Sequence, residues 1–122
     1  MPRRKKIESA IRPRLRIVAG KNIAFGPGKS DLLAALDETG SITRAADKLG
    51  MSYMRAWTLI RTMNRCFCRP LVDAMRGGTR GGGGARLTPT GKRVLELYRQ
   101  MDDMCLDAIQ ARWRKLQKLL NV

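Results

Sequence analysis

The side chains best suited to bind a partner through charge and hydrogen bonds lie between Ser52 and Arg65. An arginine carries five N–H donors in a rigid fork, which can bond a phosphate or the edge of a guanine through two hydrogen bonds at once. Helical spacing places one methionine and four polar or charged residues on a single face: Met54, Arg55, Thr58, Arg61 and Arg65. The opposite face is apolar: Ala56, Trp57, Ile60, Met63 and Phe67. This division predicts a helix that packs inward on one side and offers arginines to a partner on the other.

A phosphate-binding loop is a second chemistry to consider, and its spacing is wrong. The stretch GPGKS at 26–30 ends in Gly-Lys-Ser, but the pattern needs a glycine five residues before Gly28, where the chain has Ile23. Pro27 also lacks the N–H that such a loop would use to hold phosphate. The later glycine at Gly91 fails the same test, because arginine stands five residues before it. We therefore expect no nucleotide site.

Catalytic and metal-binding chemistry has little material in this chain. It contains no histidine, and its three cysteines are Cys66, Cys68 and Cys105. An odd number of cysteines without histidine supports neither a disulfide framework nor a zinc site. We expect the cysteines to be reduced and partly buried, and Asp102, Asp103 and Asp107 to form a solvated helix face. The prediction is a protein that is not an enzyme and needs no cofactor or metal.

Two short helices joined by a tight turn would position the arginine face. The first shows apolar residues at i, i+3, i+4 and i+7: Ile42, Ala45, Ala46 and Leu49. Ser41 is placed to cap it, Gly50 to end it, and Ser52 to cap the second helix. This is the arrangement by which a protein places a helix in the major groove of DNA. On these residues alone, an ordinary pair of amphipathic helices with solvated arginines fits equally well.

Charge favours a polyanionic partner. The chain has 25 Lys and Arg against 10 Asp and Glu, a formal net charge of +15. Residues 1–22 hold eight basic and one acidic residue, and residues 51–93 hold nine and one, so the charge is concentrated in two segments. No apolar run approaches the roughly 18 to 20 residues that cross a bilayer. We expect a cytoplasmic protein whose partner is nucleic acid.

Several elements flank the helix pair. Alternating residues from Arg14 to Phe25 predict a β-hairpin, and Pro27 is placed to start a helix that runs to about Thr39 and completes a three-helix core. Residues 70–75 and 85–88 read as two further strands. Residues 1–13 are basic and read as a flexible arm, for which a disordered solubilising tail is an equal alternative.

A glycine-rich segment separates the two later strands. Six of the nine residues at 76–84 are glycine, and such a segment cannot pack a core. Its polar residues suit contact with a phosphate backbone or a minor groove, as in the wing of a winged helix: Arg76, Thr79, Arg80 and, just beyond it, Arg86. A plain flexible hairpin loop is the alternative.

The last element is a long helix. Thr88 and Pro89 are placed as its cap and first residue, and no helix breaker follows before Asn121. Apolar residues step by three and four along it: Val94, Tyr98, Met101, Cys105 and Ala108, then Ile109, Trp113, Leu116 and Leu120. The stripe exceeds what a small core needs, so we expect a dimerisation helix; packing back along its own domain is the alternative.

These residues resemble a known family. The stretch GSITRAADKLGMSYMRAW at 40–57, the segment GGTRGGGGARLTPTG at 77–91 and the order of elements are similar to the N-terminal DNA-binding domain of the ModE family of molybdate-responsive transcriptional regulators. The resemblance covers about residues 14–110. It implies a LysR-like winged helix-turn-helix, and a homodimer that binds a palindromic operator with the second helix of each pair in the major groove.

The resemblance also assigns residues and an organisation. Recognition residues would be Ser52, Tyr53, Met54, Arg55, Thr58 and Arg61, with support from Thr43, Arg44 and Arg65 and with the four wing residues on flanking DNA. We expect a mainly α fold with small β-hairpins: a basic arm at 1–13, a winged helix-turn-helix domain at 14–91 and a long C-terminal helix at 92–122. Full-length family members sense molybdate through C-terminal β-barrel domains, whereas this chain ends at Val122 in a helix. The expectation is a sequence-specific regulator lacking the molybdate-binding domain; a sequence-blind nucleoid or RNA-binding protein, or an adaptor that binds another protein through the long helix, is the alternative.

Overall fold

A computed structural model describes residues 8–75 and 84–121. In these residues the chain forms two β-hairpins and four α-helices, which confirms the predicted fold class. In chain order they are β1 (Ile17–Ala19), β2 (Asn22–Phe25), α1 (Pro27–Thr39), α2 (Ile42–Leu49), α3 (Tyr53–Cys66), β3 (Val72–Ala74), β4 (Ala85–Leu87) and α4 (Pro89–Gln117).

The first hairpin carries the aromatic centre of the core. Strands β1 and β2 are antiparallel and turn at Gly20, whose φ of 61° lies in the left-handed region that glycine favours. Phe25 at the end of β2 is fully buried. Its ring meets those of Tyr98 and Phe67 edge to face, at centroid distances of 5.0 and 6.2 Å.

Helices α1, α2 and α3 form the predicted three-helix core. Their inward side chains are fully buried: Leu32, Leu33 and Leu36 from α1, Ile42 and Ala45 from α2, and Ala56, Ile60 and Met63 from α3. Burying each large apolar side chain contributes about 1.5–3 kcal/mol. Gly40 ends α1 in the left-handed conformation (φ 67°), and its N–H donates to the Leu36 carbonyl.

The second hairpin is fastened to both ends of the core. Asn64, near the end of α3, accepts from the N–H groups of Leu71 and Val72 and donates to the Val72 carbonyl at 3.0 Å. On the other side, the Ala85 N–H donates to the Gly40 carbonyl at 3.1 Å. The root of this hairpin is therefore held by the turn between α1 and α2 and by the end of α3.

Helix α4 begins against the backbone that leads into β3. The Thr88 hydroxyl accepts from the Gly91 N–H and donates to the Pro70 carbonyl, while the Thr88 N–H donates to the Leu71 carbonyl at 3.0 Å. Gly91 is buried, and a Cβ at this position would lie 2.0 Å from the Leu71 carbonyl oxygen. Only glycine allows the helix to approach the strand this closely.

The predicted stripe along α4 needs two corrections. Leu95 and Tyr98 are its buried core residues and Val94 packs against the core half-buried, so the stripe omitted Leu95. Met101 remains 44% exposed and Leu116 51% exposed. The helix ends at Gln117 and the chain turns at 118–119, so Leu120 lies beyond the helix instead of within it. After Tyr98 the helix leaves the core, which explains why a stripe continued from the first turns does not stay buried.

The described part of the predicted arm runs beside α4. Residues 8–16 are extended, and burial alternates so that Ser9, Ile11, Pro13 and Leu15 are half-buried. Gln117 donates to the Ser9 hydroxyl at 2.9 Å, and the Tyr98 hydroxyl donates to the Leu15 carbonyl at 2.6 Å. None of the helices in the described ranges combines the length and apolar composition that a membrane span requires.

Candidate nucleic-acid interface

A three-residue turn sets the angle between α2 and α3. The Ser41 hydroxyl accepts from the Arg44 N–H at 3.2 Å, Gly50 has a φ of 66°, and the Ser52 hydroxyl accepts from the Arg55 N–H at 3.0 Å. Each of the three short-range signals in the sequence thus operates at the residue where it was predicted. The result is a helix-turn-helix in which the start of α3 is fixed by its own cap.

Helix α3 presents a polar face to solvent. Its predicted outward residues are all exposed: Met54, Arg55, Thr58, Arg61 and Arg65. Trp57, on the flank, is half-buried, and Phe67 lies one residue beyond the helix end, half-buried against Phe25. Because α3 has three arginines and no acidic residue, this face is uniformly cationic.

Two side chains of this face have their geometry restricted. The Thr58 hydroxyl donates to the Met54 carbonyl at 2.9 Å, so its proton is used within the helix and its methyl group and an oxygen lone pair remain for a partner. The Tyr53 ring packs edge-on against Trp57 at 6.2 Å and is 38% exposed. Both observations favour contacts by shape and apolar surface at these positions.

The supporting and wing residues occupy neighbouring surfaces. Thr43 and Arg44 are exposed in the first turn of α2. Arg86 is exposed on β4, directly across the hairpin from Asp73, which offsets part of its charge. The remaining predicted wing residues, Arg76, Thr79 and Arg80, lie outside the described residues.

A groove lined by four cations was not predicted from the sequence. Arg14, Arg16, Lys29 and Arg55 line an open groove of about 330 Å³ between the first hairpin, the start of α1 and the start of α3. The Lys29 ammonium donates to the Ile23 carbonyl. Its pKa is lowered, first because the site removes solvent and also because Arg55 is near, against an opposing effect of Cys66. The only signal in the sequence is the alternation of Arg14 and Arg16 with inward-facing Leu15 and Ile17.

Residues 26–30 and the three cysteines have a place in the fold that accounts for them without chemistry. Pro27 is the first residue of α1, and Lys29 turns back to the hairpin. All three cysteines are free, and Cys66 and Cys105 are half-buried as predicted. Cys68 is exposed, against the prediction, because α3 ends at Cys66 and the inward direction of the helix face is lost in the bend that follows.

Comparison with known proteins identifies similar sequences. A family model described as bacterial regulatory helix-turn-helix protein, lysR family, matches residues 30–92. The chain is 44% identical to the molybdenum-pterin-binding protein MopB of Rhodobacter capsulatus over 74 residues, 61% of this chain and 27% of that protein. It is 45% identical to the molybdenum transport protein ModE of Azotobacter vinelandii over 71 residues, 58% of this chain and 26% of that protein.

A third relative carries a functional name. It is the DNA-binding transcriptional dual regulator ModE of Escherichia coli (strain K12), 42% identical over 72 residues, which are 59% of this chain and 27% of that protein. The chain thus spans about a quarter of the length of these curated relatives. The residues that the family model matches, 30–92, contain the helix pair and the second hairpin.

Proposed function

The chain belongs to the bacterial regulatory helix-turn-helix proteins of the lysR family, and from this membership we propose that it is a sequence-specific DNA-binding transcriptional regulator of the ModE type. Residues 14–91 are its proposed DNA-binding domain, and the proposed dimerisation helix lies within residues 92–122. The observation that carries the proposal is the exposed face of α3, which has three arginines and no carboxylate beside a capped helix-turn-helix. A regulator of this kind needs no catalytic residue and acts in the cytoplasm, where its DNA is.

Helix α3 lies in the major groove in this proposal. Arg55 and Arg61 stand six residues apart on the exposed face and are assigned to guanine edges, where a bidentate contact contributes about 1–3 kcal/mol of discrimination. The Thr58 methyl group suits a thymine methyl, since the hydroxyl proton is already used. The start of the helix, with Ser52, Tyr53 and Met54, approaches the neighbouring base pairs.

The DNA backbone is contacted on both sides of α3. Thr43 and Arg44 at the start of α2 and Arg65 near the end of α3 support the helix in the groove. Arg86 is placed at the root of the wing, and Arg76, Thr79 and Arg80 are assigned to the flanking backbone or minor groove from their sequence alone. These contacts orient the domain without reading sequence.

A second copy of the chain is proposed to pack on α4. Leu97, Met101 and Met104 step by four and three and are all substantially exposed. At 100° per residue this face lies about 120° around the helix from the face of Leu95 and Tyr98 that enters the core. An exposed apolar ridge on a long helix, separate from the core face, is what a two-fold helix pair requires.

In vitro selection of duplex DNA by the purified protein tests the function. We expect a palindromic consensus, bound about 10³-fold or more tightly than random duplex. Arg55→Ala and Arg61→Ala should each lower affinity for the selected duplex by roughly 5- to 150-fold, equivalent to 1–3 kcal/mol, with a smaller loss on random duplex. Arg112→Ala, which removes the same charge from an exposed position near the other end of α4, is the matched control.

Two results separate the alternatives. Equal affinity for selected duplex, random duplex and RNA would replace the proposal by a sequence-blind binding protein. If light scattering shows a monomer that stays monomeric on DNA, the proposed dimer is wrong. If the wild type is a dimer, the Met101→Arg variant should be a monomer, whereas the Leu119→Arg variant, changed at a position 84% exposed, should remain a dimer. The selection is run with and without molybdate, because the relatives' names associate them with molybdenum.

A further inference from the structure

The hairpin groove, lined by Arg14, Arg16, Lys29 and Arg55, collects positive charge from three separate elements. No carboxylate lines the groove in the described structure. Its other lining residues are apolar or glycine: Ile23, Gly26, Pro27, Gly28, Met51 and Leu59. Four like charges around one groove repel one another, and a bound polyanion relieves that repulsion. By contrast, the positive charge of Lys48 on another part of the surface is neutralised by its ion pair with Glu38.

Two of the cations are positioned by contacts with the backbone of the hairpin. Arg16 lies across Gly26, where an added Cβ would be 3.5 Å from the arginine Cγ. Lys29 is tied to the Ile23 carbonyl, and Leu15 and Ile17 are half-buried on either side of Arg16. Arg16 and Lys29 are therefore both positioned against the hairpin, beside the exposed Arg14.

The position of the groove relative to the wing defines a second flank. The groove is at the start of α1, whereas the β3–β4 hairpin is bonded to Gly40 at its end. A helix of 13 residues is about 20 Å long, which corresponds to about six phosphate spacings along one strand. The two surfaces are therefore separated by the length of α1, and Arg55 connects the groove to the exposed face of α3.

We propose that the hairpin groove binds a segment of DNA phosphate backbone at a flank of α3 separate from the second hairpin. The inference rests on the proposed function and extends it to Arg14, Arg16 and Lys29, which the family resemblance did not assign to DNA and which precede residues 30–92, matched by the lysR-family model. Each subunit then grips the DNA at both flanks of its major-groove helix. The contact made by Arg14, Arg16 and Lys29 is independent of base sequence because phosphates are its only ligands, whereas Arg55 stays assigned to a guanine edge.

The salt dependence of binding to a random duplex tests this contact. The triple variant Arg14→Gln, Arg16→Gln, Lys29→Gln keeps most of each side chain and removes three charges. Each phosphate contact contributes about 0.9 to the slope of log K against log salt, so the slope should fall in magnitude by about 2.7 per bound protomer. Replacing Arg112, Arg114 and Lys115 by Gln removes the same charge from α4, eight or more residues beyond the proposed dimer ridge of Leu97, Met101 and Met104. It should change the slope little, since salt screens beyond about 10 Å.

The outcomes distinguish this proposal from the proposed function. The triple substitution should lower affinity for selected and random duplex by the same factor. In phosphate-ethylation interference, the triple variant should no longer be sensitive to ethylation of the phosphates at one flank, while the phosphates assigned to α3 and to the wing should remain sensitive. A slope equal to that of the matched control would overturn the groove contact even if the selection yields a consensus. If no consensus emerges, the proposed function fails, and the slope comparison still decides whether the groove contacts phosphate.

Two further measurements test whether the triple variant fails to fold and whether the groove binds a free anion. If circular dichroism shows the triple variant unfolded, Arg14→Gln and Arg16→Gln singly should each lower the slope by about 0.9 per protomer. Inorganic phosphate at constant ionic strength provides the small-anion test. Stabilisation of the wild type but not of the triple variant, together with an unchanged salt slope, would make the groove a free-anion site and overturn the backbone contact.

Discussion

Replacing Gly91 by alanine should disrupt the joint between the long helix and the second hairpin. The added Cβ would lie 2.0 Å from the Leu71 carbonyl oxygen and 2.9 Å from its carbon, whereas real Cβ contacts stay at about 3.0 Å or more. The atom it meets belongs to the backbone, so no side-chain rotation can relieve the clash. Helix α4 and the segment entering β3 must separate by about 1 Å.

The cost follows from the contacts at this joint. Overpacking at a close contact costs about 1–3 kcal/mol. Separation also weakens the bonds from the Thr88 N–H to Leu71 and from the Thr88 hydroxyl to Pro70, each contributing about 1 kcal/mol. Alanine in a helix recovers at most about 1 kcal/mol relative to glycine. The net loss in the free energy of unfolding is therefore about 2–4 kcal/mol.

Urea unfolding followed by circular dichroism measures this loss. The matched control is Gly28→Ala in the first turn of α1, where an added Cβ has open space. It should leave the protein equally stable or up to about 1 kcal/mol more stable, because alanine loses less entropy on folding. If Gly91→Ala unfolds at the same urea concentration as the wild type with an unchanged slope, the close approach of α4 to Leu71 is refuted.

Three other substitutions test separate parts of the fold. Asn64→Ala removes three hydrogen bonds to the backbone entering β3 and should lower the free energy of unfolding by about 2–3 kcal/mol in urea titrations. Tyr98→Phe removes the bond to the Leu15 carbonyl and should cost about 1 kcal/mol while speeding amide exchange in residues 8–16. The pKa of Asp102 is raised, first by burial and then by Asp103, and no partner is found for its buried oxygen in the described residues. A raised pKa in the folded state means that folding disfavours the charged carboxylate. Asp102→Asn should therefore raise Tm at pH values well above 3.8, where Asp102 is charged, and should leave Tm unchanged at pH values well below 3.8.

The elements that the sequence predicted well are those with short-range causes. Ser41, Gly50 and Ser52 act within three residues of their own position, as caps or as a left-handed residue, so their roles are visible without tertiary structure. The three-helix core follows from apolar periodicity in the same way. The exposed face of α3 was predicted because it is the complement of a buried face.

Features that depend on distant residues could not be read in this way. The hairpin groove joins Arg14 to Arg55, which are 41 positions apart, and neither residue is unusual in its own neighbourhood. Asn64 lies on an amphipathic helix like any polar residue until its amide is seen against β3. The buried length of α4 depends on where the core ends, and apolar spacing alone does not encode that limit.

The joint at Gly91 also fixes how a dimer would address DNA. Only Thr88 separates β4 from α4, and its hydroxyl is bonded at both sides, so no flexible linker lies between the wing and the proposed dimer helix. Near the other end of the core, Tyr98 links α4 to the first hairpin through Phe25 and the Leu15 carbonyl. Helix α4 is thus rigidly connected to both hairpins. The spacing of two operator half-sites should follow from this connection, because any change in the angle of α4 moves the wing and the hairpin groove together.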